Sequence, residues 1–131
     1  MWLSENTVKK QSFKAADTGT VTVSGNEPAV FTDSELRSVN IIMPGGFAWK
    51  PGIGDETLII KSGDGRKCAV GKYGNEYING ISAGEVKIFS KGGTIWVKND
   101  GTIAVDGTLQ VSGRVEATGG FYKNGTEIIG G

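Results

Sequence analysis

Along the last third of the chain, apolar and polar residues alternate with a period of two inside units of six. Glycine stands at 101, 107, 113, 119, 125 and 131, and between these positions fall Ile103 and Val105, Leu109 and Val111, Val115 and Ala117. The units read GTIAVD, GTLQVS, GRVEAT, GGFYKN and GTEIIG. A fixed short repeat marks one structural unit stacked on copies of itself, and alternation within it marks a strand with one buried face. Glycine at each junction fits a corner whose backbone angles other residues resist. The alternation reaches back through Ile95 and Val97 to Val86 and Ile88, with Lys87, Lys98, Ala104, Gln110 and Glu116 on the opposite parity. Trp96 is the exception on that otherwise polar side.

Before this tail the pattern is irregular. Residues 11–80 read as a small antiparallel barrel with strands at Ser12–Ala15, Thr20–Ser24, Ala29–Phe31, Val39–Met43, Glu56–Lys61 and Arg66–Val70. Short strands separated by Gly, Asn and Asp turns favour closure, which removes exposed sheet edges. The clearest local signal is the hairpin TLIIK-SGDG-RKCAV, where Asp64-Gly65 supplies turn angles. The run Pro44–Gly52 is too broken for a strand and reads as a long loop, with Phe47 and Trp49 folded back as a cap. The single helical signal is Thr32–Arg37, at most one turn, with Thr32 three residues ahead of Glu35 as a weak capping box.

The repeats are too few to bury their own apolar side. A single-chain left-handed β-helix takes about three hexads per coil and needs roughly three units or more to enclose a core; five hexads give fewer than two coils. Alone, the polypeptide leaves Val105, Leu109, Val111 and Val115 in water, each forgoing roughly 1.5–3 kcal/mol of burial. Three chains wound together bring the apolar parity to a shared axis, with main-chain hydrogen bonds between chains. Strands stacked at about 4.7–4.9 Å then build a shaft of roughly 30 Å. The expected axial core of this trimer is Val86, Ile88, Ile95, Val97, Ile103, Val105, Leu109, Val111, Val115 and Ala117.

Composition narrows the chemistry. Of 131 residues 22 are glycine, more than twice the usual fraction of about 7%, while only 3 are proline, so neither collagen nor a Pro/Gly linker fits. Fourteen basic residues balance 14 acidic ones, which argues against binding nucleic acid or anionic membrane by bulk attraction. There is no histidine, which removes the commonest general base and metal ligand. The acids Asp55, Glu56, Asp64, Asp100 and Asp106 border glycines, where turn chemistry accounts for them. Asp100 and Asp106 lack the dense ligand spacing of a calcium loop. No catalytic residue, cofactor or metal site is expected. The lone Cys68 reads as a buried small hydrophobe, and MWLSENTVKK carries no leader pattern.

At this point the sequence resembles the central spike, or cell-puncturing protein, of contractile phage tails: the baseplate-assembly protein V type, related to the tip protein of type VI secretion systems. VNIIMPGG…WKPGIGDETLIIKSGDGRKCAVGKYG resembles the family's oligonucleotide/oligosaccharide-binding (OB) barrel, with its loop ending Pro-x-x-Gly-Asp, its hairpin and its closing Val-Gly. GTIWVKNDGTIAVDGTLQVSGRVEATGG is similar to its trimeric β-helix. The resemblance implies an all-β protein: an N-terminal segment 1–10, an OB-fold-like antiparallel barrel over 11–80, a C-terminal intertwined triple-stranded β-helix shaft over 81–118 and a tip over 119–131. It implies a homotrimer in the virion, at the tip of the tail baseplate, assembled in the host cytoplasm. The barrels would form a collar docked on the tail hub and baseplate proteins, and the tip would contact the host outer membrane. The role is mechanical rather than enzymatic, and no nucleic acid is bound.

Many members of that family carry a His-x-His pair that holds iron at the apex; this sequence, without histidine, departs from them. Phe121, Ile128 and Ile129 from three chains are expected to plug the end instead. Ile128 and Ile129 also fit a membrane-wetting apex, and Trp2 and Leu3 fit an anchor to the hub. Phe47 and Trp49 resemble a stacking platform for bases or sugars, but their Gly and Pro neighbours favour a structural cap. A trimeric receptor-binding tail fibre or adhesin is the alternative function. A nucleic-acid or sugar-binding OB module comes third, because it wants a basic groove with interleaved aromatics.

Overall fold

A computed structural model describes residues 16–129. The expected strand Ser12–Ala15, the segment 1–10 with Trp2 and Leu3, and residues 130–131 lie outside the described residues. The described residues are all-β apart from one 3-10 turn, Asn75–Tyr77, and the chain divides into two compact units between Ile78 and Asn79.

Among the described residues the first unit holds six strands: β1 (Ala16–Val23), β2 (Ala29–Phe31), β3 (Glu35–Leu36), β4 (Asn40–Ile42), β5 (Glu56–Lys61) and β6 (Lys67–Val70), in the order β3-β2-β1-β5-β6-β4. All pairs are antiparallel except β4 with β6, which runs parallel with Asn40 opposite Cys68 and Ile42 opposite Val70. The two outermost strands of this order, β3 and β4, are separated in sequence only by Arg37, Ser38 and Val39. Ser38 takes a left-handed φ of 52°, and the Val39 N–H donates to the Pro28 carbonyl at 3.0 Å. A single kinked strand therefore pairs with β2 by its first half and with β6 by its second, which joins the two ends of the sheet. The expected helical turn at Thr32–Arg37 is replaced by this arrangement. Thr32 N–H bonds to the Ser34 carbonyl across a tight turn, and Glu35 enters the strand opposite Phe31. Pairing across a sheet outweighs a capping box that has no apolar periodicity behind it.

Alternation puts Val21, Val30, Val39, Ile59 and Ala69 into one core, with Leu36 and Ile41 packed against it. Val30 is completely buried. Gly19 makes room for it: a Cβ at residue 19 would collide with Val30 Cγ1. Thr57, also buried, donates its hydroxyl to the Gly71 carbonyl at 2.7 Å, and Cys68 is buried.

The β5–β6 hairpin forms as expected, though only Gly65 of the Asp64-Gly65 pair takes a positive φ, 87°. Gly65 N–H donates to the Ser62 carbonyl, and Ser62 N–H to the Arg66 carbonyl at 2.8 Å. Asp64 accepts from the Ser62 hydroxyl and the Arg66 N–H, and these bonds, the first above all, hold its carboxyl below the ordinary value. The Pro-x-x-Gly-Asp run is a second locked turn. Pro51 is buried, Gly54 has φ 91°, and the Asp55 carboxylate accepts from the Gly52 N–H at 2.8 Å. The loop 44–52 carries no strand, but Phe47 does not fold back; it is 56% exposed, while Trp49 is half-buried beside the Met43 sulfur.

The second unit contains a three-stranded antiparallel meander, β7 (Val86–Phe89), β8 (Thr94–Val97) and β9 (Ile103–Asp106), and a hairpin of β10 (Phe121–Lys123) and β11 (Thr126–Ile128). None of its described residues is buried. Two expectations are corrected here. First, the strands over 86–106 pair with one another by main-chain hydrogen bonds within the chain, where the sequence leads one to expect pairing between chains. Second, the hexads do not each form a strand: no strand lies between Asp106 and Phe121 among the described residues. Nor do the repeat glycines share one role. Gly101, Gly107 and Gly125 have positive φ, whereas Gly113 and Gly119 do not.

Candidate functional site

The feature of this molecule with the greatest chemical consequence is a bare apolar sheet face. The β7–β8 register sets Val86 opposite Val97 and Ile88 opposite Ile95. The β8–β9 register sets Ile95 opposite Val105 and Val97 opposite Ile103. Two rows result, Val86–Val97–Ile103 and Ile88–Ile95–Val105, on one side of the sheet. All six side chains are exposed, Ile103 by 64%. Aliphatic side chains directly opposite each other stabilise a sheet, yet each here, about half exposed, still forgoes about half of the roughly 1.5–3 kcal/mol available from full burial.

The other side is better covered, although it is the more polar. Lys87, Trp96 and Ala104 form its central row. The ammonium groups of Lys87 and Lys98 each lie 4.4 Å from the Trp96 ring centroid, one cation on each side in sequence. Lysine stems pack on the ring while the charges remain hydrated. This explains the one aromatic on the polar parity.

Glu85 fastens the start of the meander. Its carboxylate accepts from the Ser82 N–H at 2.9 Å, the Asn99 N–H at 2.9 Å and the Trp96 indole N–H at 3.2 Å. The Asn99 side-chain amide returns a bond to the Ala83 carbonyl at 2.9 Å. Charge-assisted bonds from Asn99 and Ser82 hold the Glu85 carboxyl below its ordinary value. Asp100, in the β8–β9 turn, is lowered in the same way by Thr102. The strand-like pattern gives no hint of this clasp, because two of the three partners of Glu85, Trp96 and Asn99, lie 11 and 14 residues away. Asp106 lies at the end of β9 opposite Thr94. Among the described residues, no three of His, Cys, Asp and Glu converge on a metal position.

The remaining expected core residues fall where no strand forms. Leu109, Val111, Val115 and Ala117 are all exposed, Leu109 by 69%. There Arg114 and Glu116, two residues apart, form an exposed ion pair at 2.5 Å. At the tip, Phe121 and Ile128 are a cross-strand pair, and Ile129 follows, 87% exposed. Asn124 and Gly125 turn this hairpin with φ of 51° and 81°, the conformation that Asn-Gly favours between antiparallel strands. Reading GTEIIG as one more repeat hides that signal, which the Asn-Gly dipeptide carries plainly.

In the first unit a polar pocket of about 430 Å³ is lined by Asp55, Glu56, Lys72, Tyr73 and Tyr77 among others. The Lys72 ammonium donates to Asp55 at 3.1 Å and to the Tyr77 hydroxyl at 3.2 Å. The tyrosine bond first, and Asp55 after it, raises the lysine pKa. Tyr73 and Thr18 hydroxyls meet at 3.2 Å on the same wall.

No protein-family model matches the sequence, and no curated protein matches it.

Proposed function

We propose that this protein is the central spike of a contractile phage tail, a homotrimer that penetrates the host outer membrane mechanically and without catalysis. In this reading the first unit is an OB-fold collar docked on hub and baseplate proteins. The second is an intertwined triple-stranded β-helix, with Phe121, Ile128 and Ile129 closing its apex. The protein belongs to the virion, at the baseplate tip, after assembly in the host cytoplasm.

One observation carries the proposal: the second unit buries none of its described residues while aligning six aliphatic side chains on one sheet face. A unit without a core does not repay the conformational entropy of ordering it, roughly 1–2 kcal/mol per residue for the backbone alone. Identical neighbours supply the missing cover, and threefold winding brings the same face of each copy to one axis. The outer strands β7 and β9 and the strandless stretch after Asp106 offer main-chain groups to those neighbours. The OB reading is supported by the strand order of the first unit. With β3 and β4 taken as one kinked strand, five strands close through an antiparallel set and one parallel pair.

Light scattering on the purified protein is the test. A mass three times the 13.7 kDa of one copy is expected, with a band that survives SDS until heated. A single-copy mass ends the proposal. The exposed Phe121 and Tyr122 of the tip hairpin favour a second reading, a trimeric receptor-binding fibre or adhesin. Tight, selective binding on a glycan array would put that reading first.

A further inference from the structure

We propose that Asn79–Gly80, at the division between the two units, is a site of spontaneous covalent modification that converts Asn79 to aspartate and isoaspartate. The dipeptide Asn-Gly occurs twice, at 79–80 and at 124–125, and the fold treats the two differently.

The reaction begins when the Gly80 backbone nitrogen, after losing its proton, attacks Cγ of Asn79. A new N–Cγ bond forms, the bond from Cγ to the amide Nδ2 breaks, and ammonia leaves, giving a five-membered succinimide. Water then opens the ring. Cleavage of the N–Cγ bond gives aspartate. Cleavage at the former main-chain carbonyl gives isoaspartate, in which the backbone runs through the side-chain methylene. No redox change occurs, and water is the only co-reactant.

Three features open this route at Asn79. Both residues are exposed. Among the described residues neither the Asn79 amide nor the Gly80 N–H has a hydrogen-bond partner, so attack breaks no existing bond. Gly80, with φ of 85°, has nothing within 4 Å of the position a Cβ would take, so the nucleophile is unhindered. Asn124 is exposed as well, and Gly125 is equally open, with φ of 81° and nothing within 4 Å; the two sites differ in what holds the turn, since residues 79–80 turn with no strand on either side whereas residues 124–125 turn between the paired strands of a hairpin. Asn124 is fixed at φ 51° between Lys123 and Thr126, which pair across the strands. Swinging the Gly125 nitrogen onto the Asn124 side chain unwinds that turn. Conversion at 79 adds a carboxylate, and in the isoaspartyl form one extra backbone methylene, at the start of the second unit. The inference is independent of the spike reading, since it concerns local geometry alone.

The test is incubation of the intact protein at mildly alkaline pH, followed by tryptic peptide mapping and isoaspartyl methyltransferase labelling, with a parallel sample in urea. In urea both sites convert at similar rates, because both are Asn-Gly. In the native protein Asn79 is expected to convert several-fold faster than Asn124. Fragmentation of the 73–87 peptide separates Asn79 from Asn75. Asn79→Gln removes the 79 signal and leaves 124 unchanged. Equal native rates, a faster Asn124, or an Asn79 that stays intact while the urea sample reacts would each overturn the proposal.

Discussion

The two units are built from similar short strands, yet they stand at opposite ends of self-sufficiency. The first turns alternate residues inward and closes its sheet around them, so that Val21, Val30, Val39, Ile59 and Ala69 leave water entirely or nearly so. The second has the same alternation and equally aliphatic residues, but its sheet stops at three strands, and every apolar residue on one face stays exposed. The difference is topological. β4 returns beside β6 and closes the first sheet, whereas among the described residues of the second unit no strand returns over Val86–Val97–Ile103. Strand propensity and patterning decide that a sheet forms; closure decides whether a single polypeptide hides its own apolar side.

This contrast makes substitutions in the two units behave differently. The largest effect is expected in the second unit. Val111→Asp places one charge per copy at an apolar position of the proposed shaft, at a cost of at least about 2 kcal/mol per copy. Light scattering should then report a single-copy mass, with the barrel still folded; an unchanged trimer would show that Val111 faces outward. In the first unit, Gly19→Ala drives a methyl into Val30. Overpacking of this kind costs roughly 1–3 kcal/mol, read as a lower melting temperature of the barrel with no change in assembly mass. Thr57→Val removes the donor to the Gly71 carbonyl and leaves that acceptor unpaired, for about 1–3 kcal/mol. Urea unfolding should show a lower midpoint at constant slope.

The smallest effect concerns pH. The folded-state pKa of Glu85 lies below its ordinary value of 4.5, because the charged form accepts bonds from Asn99, Ser82 and Trp96. A carboxylate lowered by folding adds stability above its unfolded pKa and loses it as pH falls through the folded one. The clasp between residues 82–85 and Asn99 should therefore loosen below pH 4.5, reported by Trp96 fluorescence. Glu85→Gln should flatten that transition while leaving the barrel's response to acid intact.

Several elements were legible because local chemistry specified them. Glu56–Lys61 and Ala29–Phe31 are short apolar or β-branched runs bounded by turn residues, and the Gly65 turn leaves little choice of hairpin. The parity of Val86, Ile88, Ile95, Val97, Ile103 and Val105 was equally plain, and the sheet gathers those six on one face. What failed to show was long-range. Glu35 suited a helix start until β2 offered it a strand partner. The glycine period concealed two kinds of position, corners of positive φ at Gly101 and Gly107 and a bend without positive φ at Gly113. Phe47 carries an aromatic ring that invites a capping role, and only the path of the 44–52 loop left it exposed.

By itself the sequence determined the all-β character, the change of texture after residue 80 and the apolar parity of the tail, because each depends on neighbours two to six positions apart. Tertiary structure alone decided that β3 and β4 join the ends of one sheet, that Glu85 ties two turns together, and that 86–106 pairs within one polypeptide. Those outcomes rest on contacts between residues distant in sequence, where the entropy lost on closing a loop competes with burial and hydrogen bonding, and no local pattern records which of them prevails.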